Sequence, residues 1–254
     1  MVEKVQGTQS FTRSMDVLQM ISDAEVALSR AELVAMSGLT RPTVYRIIAS
    51  LEAEHLIEAT PDNRYRLGGR LIALARKALS QNDIRQVAEP ELIRLRDATG
   101  ETVHLAIRSG DELVYIDKIE SRAAVRMDST IGTRILFHAS GVGKAYLSGM
   151  SPDAANTLIN QLELPRITEF TTTDRGALQR IVDTARNDGF VRDDQENEIG
   201  IVCFGAPVLE AAGRPVASVS VSVPLYRLEA ADTYTRPLMQ AVAEISRNLG
   251  YIAP

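Results

Sequence analysis

Apolar residues recur at helical spacing over residues 28–53, and the ends of two predicted helices carry their own local signals. Ser29 and Glu32 match a capping box, in which a hydroxyl and a carboxylate satisfy the free amides at a helix start. Gly38 suits the left-handed conformation that ends many helices, and Thr40 can cap a second helix. We therefore predict two helices joined by a short turn.

The second of these helices has two faces of different character. Its apolar residues should pack on the preceding helix, because they fall at helical spacing. They are Leu39, Val44, Ile47, Ile48 and Leu51. The opposite face carries Arg41, Thr43, Tyr45, Arg46 and Ser50. A helix with polar and basic side chains on its outer side fits the major groove of double-stranded DNA.

A short hairpin is predicted after this helix. Residues 56–59 and 64–67 flank Pro61-Asp62-Asn63, and these residue types favour turns. The hairpin carries Arg64 and Arg66 near its tip. Together with the two helices, it predicts the wing of a winged helix-turn-helix domain.

Two further helices are predicted beside this domain. Residues 1–10 resemble a loose tail, after which Ser14 can cap a helix with Arg13 at its start. After the hairpin, residues 69–82 carry apolar side chains over a broader face than one small domain needs to cover. We interpret this segment as a linker helix that could form a dimer.

From residue 83 onward, strands and helices alternate. Residues 103–107 and 113–119 show period-two alternation around Gly110-Asp111, which predicts a hairpin. Helices are predicted before Gly100, from Ser151, from Asp174 and through Leu238 to Leu249. The fold class is therefore α+β, with one antiparallel sheet flanked by helices.

One predicted strand of this half is divided between valines and serines. Residues 216–223, VASVSVSV, place valines on one face and serines, including Ser220 and Ser222, on the other. The pairing expected with the preceding strand puts Cys203 on the serine face, opposite Ser220 or Ser222. The alternatives are a solvent-facing surface for the serines and an inert buried position for Cys203.

Two other segments could supply polar groups. Asp193 begins an acidic stretch, residues 193–197, whose ordinary interpretation is a solvated loop. Residues 138–145, HASGVGKA, lack the spacing of a nucleoside-triphosphate loop. A glycine-rich helix start can still offer backbone amides to a small carboxylate, although a tight turn alone would also explain the glycines.

Composition agrees with two domains of a soluble protein. The chain has 254 residues, of which 45% are hydrophobic and 24% charged. Residues 1–81 carry ten Lys or Arg and nine Asp or Glu, a net charge of +1, and the remaining residues carry −6 of the total of −5. Binding to DNA phosphates would thus depend on where a few arginines lie and on a dimer that doubles the number of these contacts.

Several classes of site are not expected. One cysteine and three scattered histidines offer no disulfide and no metal-ligand spacing, so we expect neither a metal nor another cofactor. The polar N-terminus and the lack of a long apolar stretch predict a cytoplasmic protein without membrane contact.

The order of these parts resembles the IclR family of bacterial transcriptional regulators from about Arg13 to Tyr251. The matching stretches are GLTRPTVYRIIASLEAEHLIE, RYRLGGRLIAL, GETVHLAI, LFHASGVGKAYL, DGFVRDDQENEIGIVCFGAPV, ASVSVSVP and ISRNLGY. The resemblance implies a winged helix-turn-helix domain over residues 1–68, a linker helix over 69–82 and a GAF-like sensor domain over 83–254. Where the family has glycine after the second helix this chain has His55, which predicts a different helix cap.

The resemblance also implies partners and an effector site. Family members form homodimers through their DNA-binding domains, often pair into homotetramers, and bind a small organic acid or aromatic metabolite. The implied effector contacts are the backbone of Gly141 and Val142, the carboxylate of Asp193, and the side chains of Cys203, Ser220 and Ser222. Met127, Ile135 and Ile201 would line the apolar wall of the cavity.

Our first hypothesis is a metabolite-controlled regulator of a pseudo-palindromic operator. Arg41, Thr43, Tyr45 and Arg46 would face base edges, and Arg13, Arg64 and Arg66 would face phosphates. The alternative is a metabolite-processing enzyme in which Cys203 is the nucleophile and Asp193 the base. Such a thiol needs a neighbouring base such as histidine, and the sequence places neither His104 nor His138 beside it. The sequence leaves open whether the protein represses or activates.

Overall fold

The computed structural model describes residues 9–80, 83–123 and 129–252, and the chain divides into two compact units, residues 1–81 and 82–254. In the first unit lie α1 (Gln9–Asp23), β1 (Leu28–Ser29), α2 (Arg30–Ser37), α3 (Arg41–Ala53), β2 (Ile57–Ala59), β3 (Arg64–Leu67) and α4 (Gly69–Ser80). In the second lie α5 (Asp83–Thr99), β4 (Thr102–Ser109), β5 (Glu112–Ile119), β6 (Arg134–Ile135), α6 (Gly141–Gly149), α7 (Pro152–Gln161), α8 (Arg175–Asp188), β7 (Val191–Asp194), β8 (Ile201–Leu209), β9 (Pro215–Pro224) and α9 (Asp232–Asn248).

The local signals of the helix-turn-helix are present as predicted. The Ser29 hydroxyl accepts from the Glu32 amide, and the Glu32 carboxylate accepts from the Ser29 amide at 2.7 Å, which completes the capping box. Gly38 ends α2 with a φ of 63°. Thr40 stands at the N-cap of α3 without a side-chain cap bond, and its hydroxyl contacts that of Thr43 at 2.9 Å instead.

The predicted wing forms, but it gains a strand that the sequence did not reveal. β2 and β3 pair antiparallel, and β1 pairs with the other edge of β3 through Leu28 and Tyr65. Tyr65 is buried in the core that α1, α2 and α3 share. Two residues are too few for a pattern with period two, so β1 could not be recognised from alternation.

The predicted start of α1 was wrong. The helix begins at Gln9, and Ser14 lies within it, where its hydroxyl donates to the carbonyl oxygen of Ser10 at 3.0 Å. A serine inside a helix can bond to the carbonyl four residues back as readily as it can cap a helix start. Residues 9 and 10 therefore belong to α1 and not to a loose tail.

The expectation of a different cap at His55 was also wrong. His55 adopts a φ of 55°, the left-handed conformation that glycine usually supplies. Its amide donates to the carbonyl of Glu52 at 2.9 Å, and the amide of Leu56 donates to that of Leu51 at 2.9 Å. The backbone at the end of α3 thus adopts the conformation that is usual for glycine, although His55 carries a side chain.

The second unit is built on an antiparallel sheet whose described strands have the order β6-β5-β4-β9-β8-β7. One face is covered by α9, where Phe204 of β8 stacks on Tyr234 at 5.4 Å, and α5 packs beside α9. The other face is covered by α6, which packs on α8. Glycines allow this contact, because a Cβ atom on Gly205 would lie 2.3 Å from the carbonyl oxygen of Gly141. The fold is α+β and GAF-like, as predicted.

Both faces of β9 are buried, so a solvent-facing surface for its serines is excluded. Ser220 and Ser222 are each 2% exposed and lie on the face covered by α6. Val221, opposite Phe204, belongs to the face covered by α9. Cys203 pairs with Ser222, one of its two predicted partners.

Among the described residues, no helix combines the length and apolar character needed to cross a membrane.

Candidate functional sites

The outer face of α3 is open, as its sequence pattern predicts. Val44, Ile47, Ile48 and Leu51 are buried against the rest of the first unit. Arg41, Tyr45 and Arg46 are exposed, and Thr43 is half-buried. The structure therefore brings the four residues expected to face base edges together on one surface of the helix.

A cluster of aromatic and guanidinium groups supports this surface. Arg30, at the start of α2, donates from Nε to the hydroxyl of Tyr65 at 2.7 Å. Its guanidinium lies 5.4 Å from the ring centre of Tyr45 and 5.6 Å from that of Tyr65. Arg41 approaches Tyr45 at 6.0 Å. Arg30 was not selected from the sequence, because its partners lie far along the chain.

The arginines expected to face phosphates differ in their surroundings. Arg64 donates to the carbonyl of Ala27 at 2.8 Å and pairs with Glu32 at 3.1 Å, so its guanidinium is held within the unit. Arg66 is two-thirds exposed and pairs with Glu58 at 2.7 Å. Arg13 is half-buried on α1.

A cavity of about 250 Å³ lies in the second unit, beside the serine face of the sheet. It is lined by His104, Tyr115, Ser129, Thr133, Ile135, Asp193, Asn197, Glu198, Ile201, Cys203 and Ser222. Strands β4 to β9, the segment before β6 and the loop between β7 and β8 contribute these residues, so the cavity depends on the whole sheet.

Three of the six predicted effector contacts line this cavity: Asp193, Cys203 and Ser222. The predicted wall residues Ile135 and Ile201 line it as well, and Met127 lies outside the described residues.

The other three predicted contacts, Gly141, Val142 and Ser220, are not among the lining residues. Gly141 packs just behind Cys203, since a Cβ atom there would lie 3.0 Å from the Cβ of Cys203. Val142 belongs to a buried apolar cluster. Ser220 pairs with His104 and Gly205.

Asp193 is buried, and this corrects the interpretation of its segment as a solvated loop. It lies on β7 and is 2% exposed, whereas its neighbour Asp194 is exposed. Its carboxylate accepts from the amide of Glu196 at 2.9 Å. Burial raises the pKa of Asp193 to about 6, although the ammonium of Lys144 opposes this rise. The backbone of Gly141, expected to meet an effector, lies beside Asp193 and lowers its pKa slightly.

His104 is the most prominent residue of the cavity that the sequence did not reveal. Its Nε2 lies 2.6 Å from the hydroxyl of Ser129, its Nδ1 lies 3.3 Å from that of Ser222, and its ring stacks on Tyr115 at 4.5 Å. Burial, with a smaller effect of the nearby Lys118, lowers the pKa of His104 to about 3, so the ring is neutral. Strand alternation alone places the His104 side chain on the other face of β4 from Val103 and Leu105. Only the long-range pairing of β4 with β9 brings it to the serines.

Cys203 lacks the environment of a nucleophile. Its Sγ lies 3.3 Å from the Ser222 hydroxyl, which separates it from His104. Burial raises the pKa of the Cys203 thiol, and the carboxyl group of Asp193 raises it further. The thiol is therefore neutral, whereas catalytic cysteines need a lowered pKa.

The lysine of the glycine-rich segment has a structural partner. Lys144 is fully buried in α6 and forms an ion pair with Glu196. Glu196 also accepts from the amide of Thr172 at 3.0 Å. This ion pair ties α6 to the loop after β7 and so fixes the side of the cavity that carries Asp193.

Two protein-family models together match most of the chain. The model of the IclR helix-turn-helix domain matches residues 10–61, and the model described as bacterial transcriptional regulator IclR C-terminal matches residues 76–249. The HTH-type transcriptional regulator XynR of Escherichia coli (strain K12) is 32% identical over 248 residues, which are 96% of this chain and 98% of the relative.

Solved structures agree in fold. The Thermotoga maritima IclR crystal structure gives a TM-score of 0.75 at 30% identity and covers 95% of this chain and 99% of that chain. An IclR homolog from Microbacterium hydrocarbonoxydans, complexed with 4-hydroxybenzoate, gives a TM-score of 0.79 at 24% identity and covers 94% of this chain and 98% of that chain. The relatives named above are regulators and not enzymes. The chain belongs to the IclR family of bacterial transcriptional regulators and is a DNA-binding regulator of transcription.

Proposed function

We propose that this regulator binds a pseudo-palindromic operator as a homodimer, and that a small organic or aromatic acid in the sensor cavity controls this binding. We assign residues 1–68 to the DNA-binding domain, 69–82 to a linker helix and 83–254 to the sensor, in a cytoplasmic protein that can also form tetramers. The observation that carries the proposal is the open polar face of α3, on which Arg41, Tyr45 and Arg46 are exposed.

Arg46 is our first choice for direct recognition of a base. It is exposed on the outer face of α3, and a guanidinium can bind guanine through two parallel hydrogen bonds. Arg46→Ala should weaken specific operator binding by about 1–3 kcal/mol in a gel-shift titration. Arg66→Ala, on the exposed wing, should weaken binding to all duplexes alike. Equal affinities of wild type and Arg46→Ala for both operator and random duplex would contradict the assignment.

The effector part of the proposal is supported by the cavity. The cavity is lined by the hydroxyl group of Ser222 and the carboxyl group of Asp193, and by the apolar side chains of Ile135 and Ile201. This lining suits a small molecule with one polar end. The relative complexed with 4-hydroxybenzoate supplies a first test compound for this chain. For control of transcription, the ligand must bind the DNA-competent and DNA-incompetent forms with different affinity.

The effector site is tested in two steps. A thermal-shift screen of small acids, beginning with 4-hydroxybenzoate, should find compounds that raise the melting temperature. Ser222→Ala should then reduce the effect of such a compound on operator affinity, since its hydroxyl lines the cavity. A full response in Ser222→Ala combined with Ser220→Ala would contradict the proposed contacts.

A further inference from the structure

The charges around the sensor cavity disfavour an anionic ligand. The lining, as far as the structure describes it, includes the carboxyl groups of Asp193 and Glu198 and contains no lysine or arginine. The closest ammonium on the α6 side, Lys144, is fully buried and already paired with Glu196. A carboxylate that enters the cavity therefore meets other carboxyl groups before it meets a cation.

The nearest ammonium on the β5 side is also engaged. Lys118 donates to the carbonyl oxygen of Ser129 at 2.6 Å and pairs with Glu120 at 3.3 Å. The imidazole of His104 is held between two hydroxyl groups and supplies no charge. The phenol of Tyr115 and the thiol of Cys203, which face Asp193 from β5 and β8, are neutral as well.

We infer that an acidic effector enters this cavity together with one proton, which the carboxyl group of Asp193 holds and donates to the effector carboxylate. The inference rests on the proposed effector site and specifies how that site accepts an acid. Two carboxyl groups within hydrogen-bond distance in a buried site cannot both ionise at low cost, and one shared proton removes their repulsion.

The proton balance of this step is simple. Above pH 6 the free effector and Asp193 are both ionised, so complex formation takes one proton from solvent and changes no covalent bond between heavy atoms. The Asp193 carboxyl, with its pKa near 6, accepts this proton at small cost near neutral pH. The amide of Glu196 can continue to donate to the carbonyl oxygen of the protonated acid.

The test uses the full-length protein and a matched pair of compounds, 4-hydroxybenzoate and its neutral analogue 4-hydroxybenzamide, with lactate as an aliphatic acid. Isothermal titration calorimetry in phosphate and in Tris gives both Kd and the number of protons taken up. For an acid that binds, Kd should rise about tenfold per pH unit between pH 6.5 and 8, with close to one proton taken up at pH 8. The amide should bind with a constant Kd and no proton uptake.

Two variants separate this role from a merely structural one. Asp193→Asn, neutral at every pH, should remove the pH dependence and bind the acid more tightly than wild type at pH 8. Glu198→Gln removes an exposed carboxylate from the same lining, so it should lower the Kd of the acid by a similar factor at every pH and keep the wild-type slope. A role limited to structure would instead make Asp193→Asn bind more weakly at every pH.

Three outcomes overturn the inference. They are an acid that binds without proton uptake in wild type, an unchanged slope in Asp193→Asn, and failure of both acids to bind anywhere between pH 5.5 and 8. Proton uptake is measured on the wild-type protein, so a folding defect of Asp193→Asn cannot obscure that result. The proposed operator binding is judged separately by the Arg46→Ala gel shift, which needs no effector.

Discussion

At the scale of single residues, the positions that resisted prediction are those whose environment comes from distant parts of the chain. Asp193 lies in an acidic stretch that is typical of a solvated loop, yet α6 and the sheet bury it. His104 is one residue of an ordinary amphipathic strand, yet two serines from other segments hold both of its ring nitrogens. Burial was not encoded locally in either case.

These two residues give the second unit opposing dependences on pH. The pKa of His104 is lowered from 6.5 to about 3, so between these values the unfolded state binds one more proton and stability rises with pH. The pKa of Asp193 is raised from 3.8 to about 6, so between these values the folded state binds one more proton and stability falls with pH. Between pH 4 and 6 the two contributions should nearly cancel.

We therefore predict that substitution of either residue exposes the contribution of the other. Relative to wild type, Asp193→Asn should add a slope of about +1.4 kcal/mol per pH unit to the free energy of unfolding, and His104→Gln a slope of about −1.4 kcal/mol per pH unit. Urea unfolding followed by circular dichroism at pH 4, 5 and 6 measures these slopes. Parallel profiles for all three proteins would contradict the prediction, whatever the absolute stability of each variant.

At the scale of elements, local signals were sufficient where one short segment determines the structure. The capping box at Ser29, the left-handed Gly38 and the turn between residues 59 and 64 each specify a junction through neighbouring atoms. The valine and serine faces of β9 follow from strand geometry alone. The fold class and the hairpins could therefore be predicted.

The arrangement of the cavity could not be derived from local pattern, because it depends on how the strands pair and on where the segments between them lie. The β4–β9 pairing joins His104 to the serine face, and the β7–β8 pairing sets Asp193 beside Cys203. Six lining residues of the cavity were missed: His104 and Tyr115 on strands, and Ser129, Thr133, Asn197 and Glu198 in the segments between strands. The three predicted effector contacts that line the cavity, Asp193, Cys203 and Ser222, come from the region where a hairpin and a family motif coincide, and the wall residues Ile135 and Ile201 were implied by the family resemblance.

A further prediction concerns the contact between the wing and α3. Arg30 joins Tyr65 of β3 to Tyr45 of α3, so it should hold the exposed tyrosine and its neighbour Arg41 in position for DNA. A cation–π contact at an exposed site contributes about 0.5–1 kcal/mol, and the hydrogen bond adds to it. Arg30→Ala should therefore raise the operator Kd about 3- to 10-fold in a gel-shift titration.

The control variant leaves Arg30 and its charge unchanged. Tyr65→Phe removes the hydroxyl that Arg30 binds and leaves both ring contacts, so it should produce a smaller loss in the same direction. If Tyr65→Phe binds the operator like wild type while Arg30→Ala loses affinity for all duplexes equally, Arg30 acts through phosphate contact and not through position.

At the scale of the whole molecule, charge and exposed apolar surface both favour a dimer. A first unit with a net charge of only +1 presents few cations to a polyanion, so two copies on one operator would compensate for a weak single contact. The α4 helix supplies a candidate surface, since Ile72 is 74% exposed and Leu74, on another side of the same helix, is 52% exposed. Exposed side chains of this size on one short helix are typical of a surface that another chain covers.

Our last prediction tests this surface. Replacement of Ile72 and Leu74 by glutamate should shift the protein toward monomer in analytical ultracentrifugation, because both charges would have to be desolvated in the interface. Binding to a full operator should weaken on the order of a hundredfold, while binding to a single half-site should stay constant, since linked binding of two copies is lost and each α3 surface is kept. Arg180→Glu, an exposed charge change on α8, is the control and should remain dimeric. A doubly substituted protein that stays dimeric would show that the copies associate through another surface.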